Sequence, residues 1–130
     1  MGDVNRLKPD ELVADIIGDR WSPSSFSDQP LEPEALRSLF EAARWAPSSR
    51  NEQPWSFVLG VKGKGDTYER LLSCLNEGNA VWARQAPVLV LTVTHMLSGR
   101  SSHRNRYAWH DAGLATQNLL LQAVALGLHA

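Results

Sequence analysis

The sequence predicts an α+β fold, because segments with helical periodicity alternate with strand-like segments along its 130 residues. Apolar residues in 32–45 recur at the i, i+3, i+4, i+7 spacing of an amphipathic helix. The segments 55–62 and 88–94 are rich in β-branched, aromatic and leucine side chains, as strands are. The long apolar segment 107–128 predicts a last helix. The predicted order is helix, helix, strand, helix, strand, helix, in one domain.

Composition and charge exclude several classes of protein. The content of 43% hydrophobic and 21% charged residues is typical of a globular protein. Thirteen basic and 14 acidic residues give a net charge of −1, so we expect no nucleic-acid or membrane-surface partner. The apolar runs are too short to span a bilayer. Cys74 is the only cysteine, and the N-terminus lacks an apolar signal core, so we expect a cytoplasmic protein.

Two helices are predicted before the first strand. The first is expected over 9–17 and ends at Gly18; its apolar side would consist of Leu12, Val13, Ile16 and Ile17. The second covers 32–45, with Pro33 in the first turn, where proline is tolerated. It ends before Pro47, which cannot continue a helical hydrogen-bond ladder.

A strand and a helix are predicted next. Alternating apolar residues over 55–62 predict the strand. The glycine-rich segment that follows lacks a dinucleotide-binding spacing, so we interpret it as a turn. Asp66 and Glu69 have the spacing of a capping box at the start of a helix. That helix would bury Tyr68, Leu71, Leu72 and Leu75.

The second strand and the last helix complete the predicted core. The continuous apolar run 88–94 predicts a strand covered on both faces. A polar loop, 95–107, follows it and is long enough to be mobile. The helix over 107–128 ends at Gly127 and is apolar nearly all round, so more than one layer of protein should enclose it.

The segment from Pro47 to Gln53 carries the densest set of hydrogen-bonding side chains between two predicted elements. Its hydroxyl and amide groups suit a flat heteroaromatic ring with many donors and acceptors. They belong to Ser48, Ser49, Asn51 and Gln53. The alternative is an ordinary helix-to-strand turn, which contains the same residue types.

Arg20 and Ser22 form a second candidate site, after the first predicted helix. A guanidinium, a hydroxyl and the backbone amide between them suit a phosphate group, although the same pattern occurs in solvated loops. The histidines at 95, 103 and 110 lack a metal-binding spacing, so we expect no metal and interpret them as loop residues. No side chain stands out as a general base.

Four segments together resemble the FMN-dependent nitroreductase family. They are the helix–APSSxNxQPW–strand segment around Pro47, the Arg-x-Ser at Arg20, the segment NEGNAVWARQAP at 76–87, and the DxGxAxQNLxLxA helix within 107–128. The resemblance covers about residues 15–130, with 1–14 as a variable N-terminal segment. It implies a sheet wrapped by helices in an interlocked homodimer. Because such proteins run longer, we expect the C-terminal part of that fold to be missing from 1–130.

The resemblance also implies a set of FMN-binding residues. Those near the phosphate would be Arg20, Trp21 and Ser22, and those near the flavin ring would be Pro47, Ser48, Ser49, Asn51, Gln53 and Asn79. Without the resemblance, Asn79 would belong to the chemistry of a helix end. No catalytic side chain is expected, since the reaction takes place on the flavin. The phosphate group at Arg20 and Ser22 and the PSSxN loop would serve one flavin from opposite subunits.

Two hypotheses about function follow. In the first, NAD(P)H reduces the flavin and leaves, and a small-molecule acceptor such as a nitroaromatic or a quinone is then reduced by a ping-pong mechanism. In the second, the chain is a truncated, non-catalytic flavin-binding or dimerisation module of the same fold. The choice of acceptor, and of NADH or NADPH, stays open at this stage.

Overall fold

The computed structural model describes residues 9–130. Within them the helices and strands follow one another in this order: α1 (Asp15–Asp19), α2 (Pro33–Arg44), β1 (Trp55–Val61), α3 (Thr67–Ser73), α4 (Glu77–Ala83), β2 (Val88–Thr94) and α5 (Ala108–Ala125). A short 3₁₀ turn, Ser49–Asn51, lies between α2 and β1. None of these helices combines the length and the apolar character that crossing a membrane requires.

The two strands form an antiparallel pair. Their register runs from Trp55 opposite Thr94 to Val61 opposite Val88. Since side chains alternate across a strand, Phe57 lies on the inner face, where its ring centre is 5.4 Å from that of Phe40 in α2.

The core is formed mainly by α2 and α5, which run antiparallel. Gln122 Nε2 donates to Ser38 Oγ at 2.9 Å, and Asn118 Nδ2 donates to the Ala42 carbonyl at 3.2 Å. Small side chains let the two helices approach closely over the buried cluster, which consists of Leu39, Ala43, Ala46, Ala115, Leu119 and Ala123. The first turn of α5 therefore lies beside the end of α2.

A second contact joins α3 to the outer face of the sheet. A Cβ atom at Gly60 would lie 2.7 Å from the Tyr68 Cα, so only glycine allows this approach. Tyr68 is buried, its hydroxyl donates to the Ala86 carbonyl at 2.7 Å, and its burial raises its pKa. The contact fixes α3 against the turn that leads into β2.

The structure confirms the predicted α+β class and the elements α2, β1, β2 and α5. The first helix differs from its prediction: it spans Asp15–Asp19, and Leu12 is fully exposed. Residues 9–14 are not helical, since a short segment without a packing partner does not repay the cost of helix nucleation. The predicted variable segment 1–14 lies largely outside the described residues.

Of two predictions about helix ends, one was wrong and one is confirmed. Asp66 precedes α3, but its backbone is helical rather than extended and its side chain makes no cap. Asn79 lies in the first turn of α4, where its backbone amide donates at 2.8 Å to Oδ1 of Asn76, the residue that caps this helix. The interpretation of these residues as helix-end chemistry is therefore confirmed.

Two further expectations need correction. Leu91 and Val93 are 49% and 37% exposed, so β2 is not covered on both faces by the described residues. The reason is that α3 lies over the Gly60 end of the outer face, away from these two side chains. His110 is not a loop residue, because it belongs to the first turn of α5.

Candidate functional site

The loop 47–53 connects α2 to β1 and lies against the start of α5. The Ser49 amide donates to Asp111 Oδ2 at 2.9 Å, and Asp111 is only 2% exposed. Within the loop, the backbone amide of Gln53 donates to Ser48 Oγ at 3.0 Å. The loop is therefore held both internally and by a buried carboxylate of α5.

Three residues of this loop have left-handed backbone conformations, although none of them is glycine. The φ angles are 55° at Arg50, 53° at Asn51 and 48° at Gln53. A left-handed conformation raises the free energy of a residue that has a Cβ atom, so such angles persist only where neighbouring contacts impose them. Residues of this kind cluster at binding sites, and here they bring backbone and amide groups of one loop into a fixed arrangement.

The segment 96–105 is a hairpin joined to the same loop. Its ends are linked by a hydrogen bond in which the backbone amide of Asn105 donates to the Met96 carbonyl at 2.8 Å. The Glu52 carboxylate accepts hydrogen bonds from Ser98 Oγ and from the Gly99 amide. The segment 95–107, predicted as a polar loop, thus contains a hairpin. The role of Glu52 was not predicted, because its partners are more than 40 residues away and no local pattern marks them.

Arg20, Trp21 and Ser22 lie together beyond the other end of α5. Arg20 Nη1 donates to Ser22 Oγ at 3.2 Å, and Ser22 Oγ donates to the Ala130 carbonyl at 3.4 Å. The Trp21 and His129 rings are 5.6 Å apart. The guanidinium and hydroxyl predicted to form a phosphate site are thus adjacent to each other.

Asn79 is exposed on α4, and α4 packs against the segment that follows Ser22. The rings of Phe26 and Trp82 are stacked with centres 6.0 Å apart. Ser25 Oγ also donates to Gln85 Oε1 at 3.4 Å. A contact between Asn79 and a flavin stays a prediction.

Within one chain, the structure does not bring Arg20 and Ser22 close to the loop 47–53, whereas Asn79 lies on α4, beside the segment that follows Ser22. Ser49 is bonded to Asp111 in the first turn of α5, whereas Ser22 is bonded to Ala130 beyond its last turn. From Asp111 to Ala125 the helix advances roughly 20 Å at 1.5 Å per residue. A small ligand on one chain cannot contact both sets.

The remaining polar contacts near the loop involve two histidines and Asp111. His95 directly follows β2, and its Nε2 lies 2.7 Å from Ser56 Oγ on an exposed surface. The buried carboxylate of Asp111 is occupied by the Ser49 amide and by His110 Nδ1, 3.0 Å from Oδ1. Among residues 9–130, no group of three or more His, Cys, Asp or Glu side chains could hold a metal ion.

Comparison with known proteins places these features in a family. The family model described as "Nitroreductase family" matches residues 17–77 and 61–130. No curated protein matches the chain significantly. Among solved structures, an oxidoreductase containing FMN is 35% identical, with a TM-score of 0.89 over 99% of this chain. A provisionally assigned nitroreductase from Desulfovibrio desulfuricans, in complex with FMN, is 31% identical, with a TM-score of 0.69 over 86% of this chain.

A third similar structure is an FMN-dependent nitroreductase from Clostridium difficile R20291, 27% identical, with a TM-score of 0.70 over 88% of this chain. This chain spans 66%, 62% and 61% of the lengths of these three proteins, in the order given. The family model covers most of the chain, and the helices and strands described above superimpose on these structures. The chain therefore belongs to the nitroreductase family.

Proposed function

We propose that this chain is an FMN-dependent oxidoreductase that uses NAD(P)H to reduce nitroaromatics, quinones or similar electron-poor acceptors by a ping-pong mechanism. The observation that carries the proposal is the loop 47–53, whose left-handed residues form a fixed surface of amides and hydroxyls. Two similar structures contain FMN, and a third is FMN-dependent.

The phosphate of FMN fits the group formed by Arg20 and Ser22. A guanidinium offers up to five donors in a planar fork, and Arg20 uses one nitrogen on Ser22 Oγ. The hydroxyl is exposed and can turn from the Ala130 carbonyl to a phosphate oxygen. Trp21 lies between them in the chain and would supply its backbone amide to the same group.

The ring of FMN fits the loop 47–53. Ser48 and Ser49 are half-buried, while Pro47 and Asn51 are exposed. Gln53 would contribute through its side-chain amide, whose Nε2 reaches the Arg44 carbonyl at 3.4 Å. Asn79 would approach the ring from α4. When bound, FMN would accept a hydride from NAD(P)H and pass electrons to the acceptor, while these residues hold and orient it.

The distance between the two sets supports a site shared by two chains. A five-carbon ribityl chain is much shorter than the roughly 20 Å that α5 advances between the two sets. In a homodimer, the Arg20 set of one protomer would face the loop 47–53 of its partner. The exposed apolar side chains of α5, among them Trp109 at 68%, are suited to such an interface.

The first test is a fluorescence titration of FMN into the wild type and Arg20→Ala. Loss of a charge-assisted phosphate contact should cost roughly 1.5 to 3 kcal/mol, or about 10- to 100-fold in affinity. Arg37→Ala is the matched control, since Arg37 is an exposed arginine of α2 paired with Glu34. Equal affinities for the wild type and Arg20→Ala would refute the phosphate assignment.

The second test measures initial rates while NADPH and menadione are varied. A single site used in turn by both reactants should give parallel double-reciprocal lines. Intersecting lines would show a ternary complex and contradict the ping-pong proposal. Bound FMN without NADPH oxidation would favour the alternative, a flavin-binding or dimerisation module.

A further inference from the structure

We propose that Asp111 is the positioning residue for the loop 47–53. Its buried carboxylate accepts a hydrogen bond from the Ser49 backbone amide and thereby imposes the left-handed conformations of the loop. This inference rests on the proposed function for the role of the loop in FMN binding, but its structural part is independent of FMN. Asp111 is a buried acid that the proposed reaction does not use.

Asp111 makes a long-range hydrogen bond to the backbone of the loop. Its Oδ2 accepts the Ser49 amide at 2.9 Å, across 62 positions of sequence. This bond fixes the first residue of the turn Ser49–Asn51, directly before Arg50 with its φ of 55°. Because the hydrogen bond joins a rigid helix to a loop of unfavourable angles, the helix supplies the constraint that the loop's own sequence lacks.

Charge makes this contact stronger than an ordinary loop hydrogen bond. Asp111 is 2% exposed, so water competes little for its oxygens, and His110 Nδ1 lies 3.0 Å from the other oxygen. A hydrogen bond to an ionised acceptor is roughly twice as strong as a neutral one. A loop held in its binding conformation loses less entropy when a ligand binds, so Asp111 should raise FMN affinity without touching FMN.

The loop part of the inference is tested on the protein without FMN. Arg50 is exposed and is a trypsin site inside the loop. We expect Asp111→Ala to raise cleavage after Arg50 by about tenfold or more, since a hydrogen bond to a charged group is lost. Asp111→Asn keeps an acceptor but loses the charge, so its cleavage rate should lie between those of the wild type and Asp111→Ala. Gln122→Ala is the control, because it removes another α5-to-α2 side-chain bond away from the loop.

A measurement on the wild type keeps the test decisive if Asp111→Ala fails to fold. The Ser49 amide should exchange with deuterium much more slowly than an unbonded loop amide, as followed by NMR. Fast exchange of this amide in the wild type would overturn the inference. Equal cleavage of Asp111→Ala and wild type at Arg50 would overturn it as well.

FMN titration then tests the functional part. Folded Asp111→Ala should bind FMN about tenfold more weakly or worse. Asp111→Asn should have an intermediate affinity, and Gln122→Ala should bind FMN as the wild type does. Unchanged affinity in Asp111→Ala would refute a positioning role for binding. Failure of the wild type to bind FMN would instead refute the proposed function, while exchange and cleavage would still decide whether Asp111 holds the loop.

Discussion

An exposed cluster at the end of α2, just before the loop 47–53, consists of Glu41, Arg44 and Trp45. Arg44 Nε donates to Glu41 Oε2 at 2.9 Å, and Trp45 Nε1 donates to Oε1 at 3.0 Å. These hydrogen bonds, that of Arg44 first, lower the pKa of Glu41 from 4.5 to about 2. The Arg44 guanidinium also lies 5.2 Å from the centre of the Trp45 ring, a cation–π contact. The cluster orients a large aromatic side chain beside the loop.

Replacing Glu41 by Gln tests the effect of this pKa on stability. Because the folded-state pKa is lowered, the ionised carboxylate stabilises the fold above pH 4.5, and this contribution is lost as the pH falls towards about 2. We therefore expect wild type and Glu41→Gln to differ most at neutral pH and to converge through that interval. The difference should be small, since the group is exposed and screened by water.

Urea unfolding at several pH values measures the free energy of unfolding for both proteins. As a control, Arg44→Gln removes the same pair from the other side and should produce the same pH profile. A difference between wild type and Glu41→Gln that stays constant from neutral pH down to pH 2 would contradict the assignment.

The sequence predicted the hydrogen-bonding side chains of the loop 47–53, but not the backbone conformation of that loop. Hydroxyl and amide residues near a proline are visible as a local pattern. The left-handed angles of Arg50, Asn51 and Gln53 are not, because they depend on the contact with Asp111, far away in sequence. The same holds for Glu52, whose partners belong to the hairpin 96–105.

At the scale of elements, the contact between β1 and α3 depends on Gly60. A Cβ atom there would lie 2.7 Å from Tyr68 Cα and 2.9 Å from Tyr68 N, and backbone atoms cannot rotate away. We expect Gly60→Ala to push α3 from the sheet and to lower the free energy of unfolding by roughly 1 to 3 kcal/mol, the usual cost of overpacking.

Chemical denaturation of Gly60→Ala and wild type measures this effect. Gly99→Ala is the matched control, because a Cβ atom at Gly99 would meet nothing within 4 Å. Equal stability of Gly60→Ala and wild type would mean that α3 is not held by this close contact.

The two strands and the long helices α2 and α5 could be predicted, whereas the extents of the short helices α1 and α4 could not. The 12 residues of α2 and the 18 of α5 repeat their apolar pattern over several turns. By contrast, α4 has seven residues, too few for a clear period, and its start depends on the Asn76 cap. The position of α1 was wrong for the same reason, since five residues leave little pattern in the sequence.

On the scale of the whole molecule, a single chain leaves much apolar surface open. The described sheet has two strands, and Leu91 on its outer face is 49% exposed. On and beside α5, Tyr107 and Trp109 are 59% and 68% exposed. The sequence indicated that α5 needs several layers around it, and one chain provides only part of them. It could not show that Ser22 and Ser49, from the two groups of candidate site residues, lie at opposite ends of this helix, because that requires knowing the partners of both residues.

The proposed homodimer makes a prediction that no single-chain site can meet. If each flavin is bound by Arg20 of one protomer and Asn51 of its partner, Arg20→Ala and Asn51→Ala should each impair both sites of their own homodimers. In a mixed dimer the two changes fall on the same site, which leaves the other site intact. Random pairing puts about half of the dimers in the mixed class, so about a quarter of wild-type sites should return after joint refolding.

Bound FMN, read by absorbance after the two variants are unfolded and refolded together, measures this recovery. Each variant refolded alone gives the baseline, and a different affinity tag on each variant shows that mixed dimers have formed. Recovery occurs only if the sites are shared, because a site built within one chain would carry its own defect into every dimer. If mixed dimers are confirmed but bind no more FMN than the baseline, each site must be built within one chain. That result would contradict the shared site, which was inferred from the roughly 20 Å by which α5 separates the two residue sets. A monomeric sedimentation profile for the wild type would contradict the shared site before any mixing.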